Sequence, residues 1–228
     1  MSDDFDERKG ATANMDTAIS VRNVRKAFGS EEVLHGVSRE FEEGKIHGIV
    51  GNNGSGKTVL MKCICGFLAV SSGEIFVGRM RIGADVDFPG DVGIIIETPG
   101  FLPNASGMKN LRILASLRRR IAVDTIAYTM RRVGLDPDMR KPVGKYSLGM
   151  RQRLGIAQAI MENPSVLILD EPFNGLDKSG VLHMRELIKG LREEGKTIIL
   201  ASHNQMDIDE LCDTVCEMDA GVLSVVRE

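Results

Sequence analysis

Residues 51–58 read GNNGSGKT and directly follow the apolar run IHGIV at residues 46–50. The spacing from Gly51 to the triplet Gly56-Lys57-Thr58 matches a phosphate-binding P-loop, in which small residues let successive backbone N–H groups surround the phosphate oxygens. A helix that opens near Lys57 would add the positive end of its dipole at the same place. The order of strand, glycine-rich loop and helix therefore predicts an α/β domain that binds a nucleotide.

The residue types of this loop suit phosphate and metal chemistry. We expect Lys57 to reach the β- and γ-phosphates and the hydroxyl of Thr58 to ligate Mg²⁺. Side chains at Gly54 or Gly56 would block the approach of phosphate to the backbone. The predicted nucleotide-binding residues of the loop are Gly51, Asn52, Asn53, Gly54, Ser55, Gly56, Lys57, Thr58 and Val59. A glycine-rich turn that matches by chance is the alternative, and it is disfavoured because strand, loop and helix all fall where the motif requires them.

Length and composition indicate one α/β domain outside the membrane. The 228 residues carry a net charge of -3 with both signs mixed, and this overall charge gives no electrostatic footprint for nucleic acid. No apolar run approaches the roughly 18 to 20 residues that span a bilayer, and the start MSDDFDERKG lacks the order of a signal peptide. Four cysteines fit a reduced compartment, and for Cys212 and Cys216 we expect structural burial, with metal binding as the alternative. We expect a cytoplasmic protein that reaches a membrane only through a partner.

The segment before the P-loop predicts a tail and then a β layer. Residues 1–17 are small, polar and charged without periodicity, which indicates a disordered tail. From about Ala18 the apolar residues alternate, with breaks at Gly29 and Gly44, and this pattern predicts antiparallel strands. Phe28 is expected in the turn between two of them, where it could stack on an adenine ring or pack under the layer.

The segment after the P-loop helix changes from sheet to helix. Residues 91–96, DVGIII, predict a buried parallel strand that ends at Glu97. Residues 98–104 hold two prolines and a glycine and indicate a loop, whereas residues 106–133 have a helical pattern. We interpret the arginines at 118–120 as a solvated helix face; contact with acidic groups on a partner or a lipid is the alternative.

The last third of the chain holds further residues that could form a site. A helix opens at Ser147 and Gly149, so a second helix N-terminus suited to an anion is present. The run VLILDEP at residues 166–172 predicts a buried strand that delivers Asp170 to Mg²⁺, with a second acid directly after it. His203 follows another predicted strand. The alternation of strands and helices indicates a parallel sheet with crossover helices.

Five motifs in this order resemble the ATP-binding-cassette (ABC) ATPases over nearly all of residues 18–228. GNNGSGKT resembles the Walker A motif, VLILDEP the Walker B motif, YSLGMRQR the family signature and NGLD at residues 174–177 the D-loop, and His203 stands at the position of the switch histidine. The resemblance implies a P-loop NTPase (RecA-like) core with a parallel sheet, an antiparallel β layer and an inserted α-helical subdomain. It implies one domain, with its core at about 18–97 and 164–228 and the helical subdomain at about 98–163.

The chain departs from the usual family pattern in two motifs. Leu148 replaces the first glycine of the usual LSGGQ signature and Met150 replaces its glutamine, whereas Ser147 and Gly149 remain. Glu97 stands where most members carry the Q-loop glutamine, and it adds a negative charge near the expected metal. These departures resemble the branch of cassettes that serve bacitracin-type and lantibiotic-type export or self-protection transporters.

In this family two cassettes stack head to tail, so that the P-loop of one faces the signature of the other across ATP. The resemblance implies that Thr58 and Asp170 hold Mg²⁺ with Glu97 at the position of a third ligand, that Phe28 contacts the adenine, that Ser147 and Gly149 contact the γ-phosphate, and that Lys57, Glu171 and His203 act in catalysis. Glu171 would polarise the attacking water and His203 would position it. The alternatives are an acid that acts only through a neighbour, and a helix-capping or buried histidine.

The function implied by the resemblance is that of an ATP-hydrolysing motor subunit of an ABC transporter, an exporter of peptide antibiotics or drug-like molecules. It would bind ATP and Mg²⁺, pair with a second cassette as a homodimer, and attach to a separate transmembrane permease at the cytoplasmic face of the membrane. One alternative is a soluble, non-transport ABC ATPase of DNA repair or translation, which usually has insertions or a second fused cassette. The other is a regulatory cassette without turnover, which the intact catalytic residues disfavour.

Overall fold

A computed structural model describes residues 17–97 and 100–228 of the chain. The strands are β1 (Thr17–Phe28), β2 (Glu31–Glu42), β3 (Ile46–Val50), β4 (Ser72–Val77), β5 (Met80–Arg81), β6 (Val92–Ile95), β7 (Val166–Asp170), β8 (Thr197–Ala201), β9 (Thr214–Asp219) and β10 (Val222–Arg227). The helices are α1 (Lys57–Ile64), α2 (Gly107–Arg118), α3 (Val123–Arg132), α4 (Leu148–Ile160), α5 (Lys178–Glu193) and α6 (Gln205–Leu211).

The strand before the P-loop lies inside a six-stranded sheet of order β10-β9-β3-β8-β7-β6. All its pairs are parallel except β9 with β10, which are antiparallel. Every residue of β7 and of β8 is buried, because helices or the second sheet cover both faces. The continuous apolar runs VLIL and TIIL follow from that burial. This arrangement places the ends of β3, β7 and β8 side by side at one edge of the sheet.

The second sheet is antiparallel, with strand order β2-β1-β4-β5. One buried cluster joins this sheet, α1 and one face of the parallel sheet, with Phe41, Leu60 and Ile168 among its members. All four cysteines are buried, as predicted for Cys212 and Cys216. The P-loop helix is therefore held between two sheets.

The segment between β6 and β7 is helical. Helices α2, α3 and α4 bury Leu111, Met130 and Leu154 in a cluster that continues to the other face of the parallel sheet. The parallel sheet, the antiparallel layer and these inserted helices confirm the predicted fold class. Within residues 17–97 and 100–228, no helix is both long and apolar enough to cross a membrane.

The helical pattern of residues 106–133 is divided into two helices, and this corrects one prediction. Arg118 is the last residue of α2, and Arg119 has a left-handed backbone with a φ of 54°. Arg118 also pairs with Glu162 at 2.9 Å. The arginines at 118–120 are exposed, as expected, but they do not share a helix face because the helix ends at the first of them.

Smaller differences concern the ends of elements. Thr17 already belongs to β1, whereas the rest of the expected tail, residues 1–16, lies outside the described residues. Phe28 is the last residue of β1 and does not lie in the turn that follows it. β6 ends two residues before Glu97, and residues 98 and 99 of the predicted loop lie outside the described part of the chain.

Candidate functional site

The P-loop connects the end of β3 to the start of α1, as the sequence predicts. Gly51 has a φ of 143°, and a Cβ atom there would lie 2.1 Å from the carbonyl oxygen of Met218. Gly54 has a φ of 81°, and nothing lies within 4 Å of its Cβ position. The first glycine is therefore needed for close packing of the loop on β9. The second, Gly54, is needed because its backbone is left-handed, and the space beside it is open.

Lys57 holds the loop as well as contributing a charge to it. Its ammonium donates hydrogen bonds to the carbonyl oxygens of Gly51 at 2.6 Å and Asn52 at 3.0 Å. The residue is only 7% exposed. An ammonium has three donors, so these two bonds leave one for a ligand. The sequence predicted the contact with phosphate but not the bonds to the loop itself.

The turn between β9 and β10 supports the other side of the loop, which the sequence analysis missed. The N–H of Gly221 donates to the carbonyl oxygen of Ser55 at 2.9 Å. A Cβ atom on Gly221 would lie 2.3 Å from the carbonyl oxygen of Val33, so only glycine fits. The residues Ala220-Gly221 are a recognisable turn signal, but their distance of about 170 residues from the loop hides the contact.

Thr58 and Asp170 meet at the expected metal position. The Thr58 hydroxyl donates to a carboxylate oxygen of Asp170 at 2.8 Å. Burial at the end of β7 raises the pKa of the Asp170 carboxyl, and the hydrogen bond from Thr58 opposes this rise. Nearby, the hydroxyl oxygen of Ser55 is buried without a hydrogen-bond partner among the described residues. Two adjacent hard oxygen ligands and an unsatisfied hydroxyl fit Mg²⁺ and phosphate.

Glu171 and His203 form the second contact of the site. Nδ1 of His203 lies 2.8 Å from a carboxylate oxygen of Glu171. Glu171 has a positive φ of 50°, and its N–H donates to the carbonyl oxygen of Ala201 at 2.9 Å. Gln152 donates from its side-chain amide to the Glu171 carbonyl at 3.2 Å. The acid is therefore fixed by the neighbouring strand and by α4, and the two residues predicted to act on water are brought together.

A buried ion pair holds the loop that carries His203. The Nε of Arg185 donates to Asp207 at 3.0 Å, and the residues are 6% and 1% exposed. The other carboxylate oxygen of Asp207 accepts from Ser202 at 3.1 Å, and the Ser202 hydroxyl accepts from the N–H of Asn204. The residues on both sides of the histidine are thus tied to α5 and α6. This network was not recognised in the sequence because its members are far apart in the chain.

One cleft of about 200 Å³ contains most of the predicted site. Its lining residues are Val33, Asn53, Gly54, Ser55, Gly56, Lys57, Thr58, Val59, Asp170 and Glu171. It lies at the carboxyl ends of β3 and β7, where open parallel sheets bind ligands.

The signature residues lie elsewhere on the chain. Ser147 caps the N-terminus of α4 and accepts a hydrogen bond from the N–H of Met150 at 3.2 Å. Neither Ser147 nor Gly149 lines the P-loop cleft. Leu148, the unusual residue, is 54% exposed, and its side chain closely covers Gly175 of the D-loop. A single chain therefore carries the two predicted halves of an ATP site at separate places.

Phe28 and Glu97 also lie outside that cleft. The Phe28 ring is 47% exposed, and Nζ of Lys26 lies 4.8 Å from its centroid. Glu97 has a positive φ of 59° and pairs with Lys62 at 2.7 Å. The lysine partner of Glu97 lies 35 residues away in the chain, so no local motif indicates it.

Fold and cleft together define a P-loop nucleotide-binding protein. A sequence profile described as "ABC transporter" matches residues 34–174. The uncharacterised ABC transporter ATP-binding protein YybJ of Bacillus subtilis (strain 168) is 40% identical over 205 residues, which is 90% of this chain and 94% of that protein. The chain therefore belongs to the ABC transporter family and is an ATP-binding ATPase subunit.

Two further relatives have names that specify transport. The bacitracin transport ATP-binding protein BcrA of Enterococcus faecalis is 38% identical over 92% of this chain and 68% of that protein. The lantibiotic transport ATP-binding protein SrtF of Streptococcus pyogenes is 34% identical over 92% of this chain and 90% of that protein. The resemblance to the bacitracin and lantibiotic branch is thereby confirmed.

Solved structures agree with the fold. An ATP-binding subunit of an ABC transporter superposes with a TM-score of 0.83 at 22% identity, covering 92% of this chain and 90% of that chain. A dimeric bacterial ABC transporter cassette superposes with a TM-score of 0.82 at 22% identity, covering 92% of this chain and 99% of that chain.

Proposed function

We propose that the chain is the motor subunit of an exporter that removes peptide antibiotics or drug-like molecules from the cell membrane. The names of BcrA and SrtF support this substrate class. The motor would attach to a separate transmembrane permease at the cytoplasmic face. Its core would comprise residues 18–97 and 164–228, and the helical subdomain between them would contact the permease.

ATP and Mg²⁺ would bind in the P-loop cleft. Thr58 and Asp170 would hold Mg²⁺, which when bound neutralises charge on the β- and γ-phosphates. Lys57 would donate to the phosphates while its other bonds keep the loop closed. The open space beside Gly54 would let backbone N–H groups approach the phosphate oxygens. Phe28 would stack on the adenine with its exposed face.

Hydrolysis would use the contact between Glu171 and His203. The water oxygen forms a bond to the γ-phosphorus, and the bond from that phosphorus to the bridging oxygen breaks, with its electron pair leaving on ADP. The carboxylate of Glu171 accepts the proton of the water. His203, held by the ion pair of Arg185 and Asp207, keeps the carboxylate oriented. Glu97 would stay paired with Lys62 and would contribute charge near the metal.

A second copy of the chain would complete each site. The cleft lacks Ser147 and Gly149, so the N-terminus of α4 from another copy would supply these residues to the γ-phosphate. The homodimer would therefore close on ATP and open after hydrolysis.

The observation that carries the proposal is the close placement of two pairs, Thr58 with Asp170 and Glu171 with His203, each at 2.8 Å. We would replace the gene by a Glu171→Gln copy and measure growth in bacitracin and in a lantibiotic. Cells with the variant are expected to be as sensitive as cells without the protein, and a wild-type copy restores resistance. Equal resistance in all three strains would reject antibiotic export.

A further inference from the structure

Positive charge is concentrated in one part of the chain. Residues 101–147 contain ten lysines and arginines and three aspartates, a net charge of +7, although the whole chain has a net charge of -3. The rest of the chain therefore has a net charge of -10. Such an asymmetry makes this segment, on average, more attractive to anions than the remainder of the chain.

Part of this charge lies along one exposed face of α2. Lys109, Arg112, Ile113, Ser116 and Leu117 are all exposed, and they are spaced three or four residues apart, which places them on the same side of the helix. We call these five residues the basic face. Its apolar members are strongly exposed, with Ile113 at 40% and Leu117 at 77%. The helix sequence GMKNLRILASLR contains no acidic residue.

The charges of this region are available to a ligand. In the described residues, neither Lys109 nor Arg112 takes part in an ion pair with a carboxylate, and the same holds for Arg119 and Arg120 after the helix. The neighbouring Arg118 is different, because it is paired with Glu162. Water hydrates these unpaired arginines well but not the apolar side chains beside them. A ligand suited to this region therefore contacts both kinds of group.

The basic face is continuous with an apolar groove. Leu117 and Arg120 line a groove of about 480 Å³ whose other walls include Phe67 and Gly100. The groove runs between the helical region and the edge strand β6. If a permease docks on this side of the molecule, the basic face lies on the side that is turned towards the membrane.

We propose that the basic face of α2 binds the headgroups of anionic phospholipids. Lys109 and Arg112 pair with lipid phosphates, while Ile113 and Leu117 enter the boundary between headgroups and acyl chains, as on helices that lie on membranes. The negative charge of the rest of the chain is repelled by the same surface, so one orientation is favoured. A wholly acidic protein segment would satisfy the two cations but leave the apolar side chains in water. The placement beside the groove rests on the proposed function, but lipid binding itself does not.

Sedimentation with vesicles tests this directly on the full chain. We would compare vesicles of phosphatidylglycerol and phosphatidylcholine with vesicles of phosphatidylcholine alone, at low and high salt. The chain is expected to bind the anionic vesicles only, and less at high salt. Because each basic residue near such a surface contributes about 1 kcal/mol, Lys109→Glu with Arg112→Glu should weaken binding at least about tenfold. Leu117→Ser should weaken it by a smaller factor.

A matched control separates the basic face from total charge. Arg79→Glu with Lys178→Glu changes the net charge equally at exposed positions elsewhere, and it should bind anionic vesicles as wild type does. ATP binding by each variant reports its folding. The proposal would be rejected if both double variants lost vesicle binding or if neither did. It would also be rejected if the wild-type chain did not bind anionic vesicles. A wild-type chain that bound cell membranes but not pure lipid would likewise reject lipid binding and would indicate a membrane protein as the ligand. The growth test in antibiotics is independent of these outcomes.

Discussion

Lys62 and Glu97 form an ion pair across the P-loop helix and the end of β6, with 2.7 Å between Nζ and a carboxylate oxygen. Their side chains are 27% and 64% exposed. The lysine therefore offsets the negative charge that glutamate brings to the position at which the resemblance to ABC ATPases implies a glutamine. The charge of Glu97 raises the pKa of the Asp170 carboxyl and that of Lys62 lowers it, so the pair limits the repulsion between the two carboxylates.

We predict that Lys62→Met weakens ATP binding, because the unpaired carboxylate of Glu97 then repels the phosphates. The effect should be up to about fivefold, the usual upper range for an exposed pair. In the Glu97→Gln background the same substitution should change nothing. Binding of a fluorescent ATP analogue to all four proteins measures the coupling, and purely additive effects would show that the pair does not matter to the nucleotide.

Lys57→Ala should lower ATP hydrolysis by at least about 100-fold, because a cation aimed at the transferring phosphoryl group is removed. The bonds from Lys57 to the carbonyls of Gly51 and Asn52 are lost as well, so the thermal midpoint without nucleotide should also fall. Phosphate release and circular dichroism measure the two effects. Lys141→Ala is the control, because Lys141 is exposed and lies outside the P-loop cleft. Wild-type hydrolysis by Lys57→Ala protein would contradict the P-loop assignment.

Glu171→Gln should form a dimer with ATP but not with ADP. Glutamine has nearly the same shape and can still contact His203, but it is a far poorer base, so hydrolysis should fall by about 100-fold or more. The closed dimer then accumulates and is stabilised by its ligand. Ser147→Arg added to this variant should prevent the dimer and leave ATP binding intact. Size-exclusion chromatography with light scattering distinguishes the species, and a monomer at high ATP would instead indicate a heterodimeric partner.

The loop after Glu97 should contact the permease through one residue. Phe101 is partly buried against the helical region, whereas its neighbour Leu102 is exposed, at 54%. Asn110 holds the loop, accepting from the Leu102 N–H at 2.7 Å. Leu102→Glu should therefore remove the part of the membrane binding that depends on the permease, as judged against membranes without the permease, and leave ATP binding unchanged. Phe101→Glu should instead destabilise the fold by about 1 to 3 kcal/mol. Membrane fractionation and thermal unfolding separate the two, and unchanged fractionation of Leu102→Glu removes the loop from the interface.

His47 should make the fold sensitive to acid. It is the second residue of β3, the strand that leads into the P-loop, and is 1% exposed; its Nε2–H donates to the carbonyl of Glu42 at 2.9 Å. The other nitrogen, Nδ1, lies 2.8 Å from the hydroxyl of Thr214 and accepts from it in this tautomer. Burial lowers the pKa of the ring below its ordinary value of 6.5.

Below about pH 6.5 the unfolded His47 binds a proton that the folded residue does not, so the free energy of unfolding decreases as the pH falls. Above that pH both states are neutral and the contribution of His47 is constant. Urea unfolding between about pH 5 and pH 7 measures the slope. His47→Gln should be less stable at neutral pH but have a smaller slope, and an equal slope would assign the acid sensitivity to another group.

Much of the fold could be predicted because local sequence and tertiary structure agree. The runs IHGIV and VLILD are buried on both sides, and buried parallel strands are continuous apolar segments. The helix start at Lys57 follows from the P-loop spacing, and Ser147 caps α4 with its own side chain. These features are determined within a few residues of the chain.

The unpredicted features depend on contacts between distant residues. Helical periodicity through residues 106–133 did not reveal the break at Arg119. The left-handed backbone of this residue depends on how α2 and α3 pack against each other. The partners of Glu97 and of His203 lie 35 and 32 residues away, at Lys62 and Glu171. Spacing within a motif cannot show which two charged residues will form a pair, because the pairing depends on how two elements approach each other in the fold.

The contact between Gly221 and Ser55 has a consequence for synthesis. Gly221, which supports the P-loop through this contact, is synthesised about 170 residues after the loop itself. Strand β9, which lies directly beside β3, is equally late. Contacts of such sequence separation are slow to form, so the emerging chain holds its most glycine-rich segment without support until the hairpin arrives. The loop that binds ATP therefore gains this support only after β9 and the turn that follows it have been synthesised.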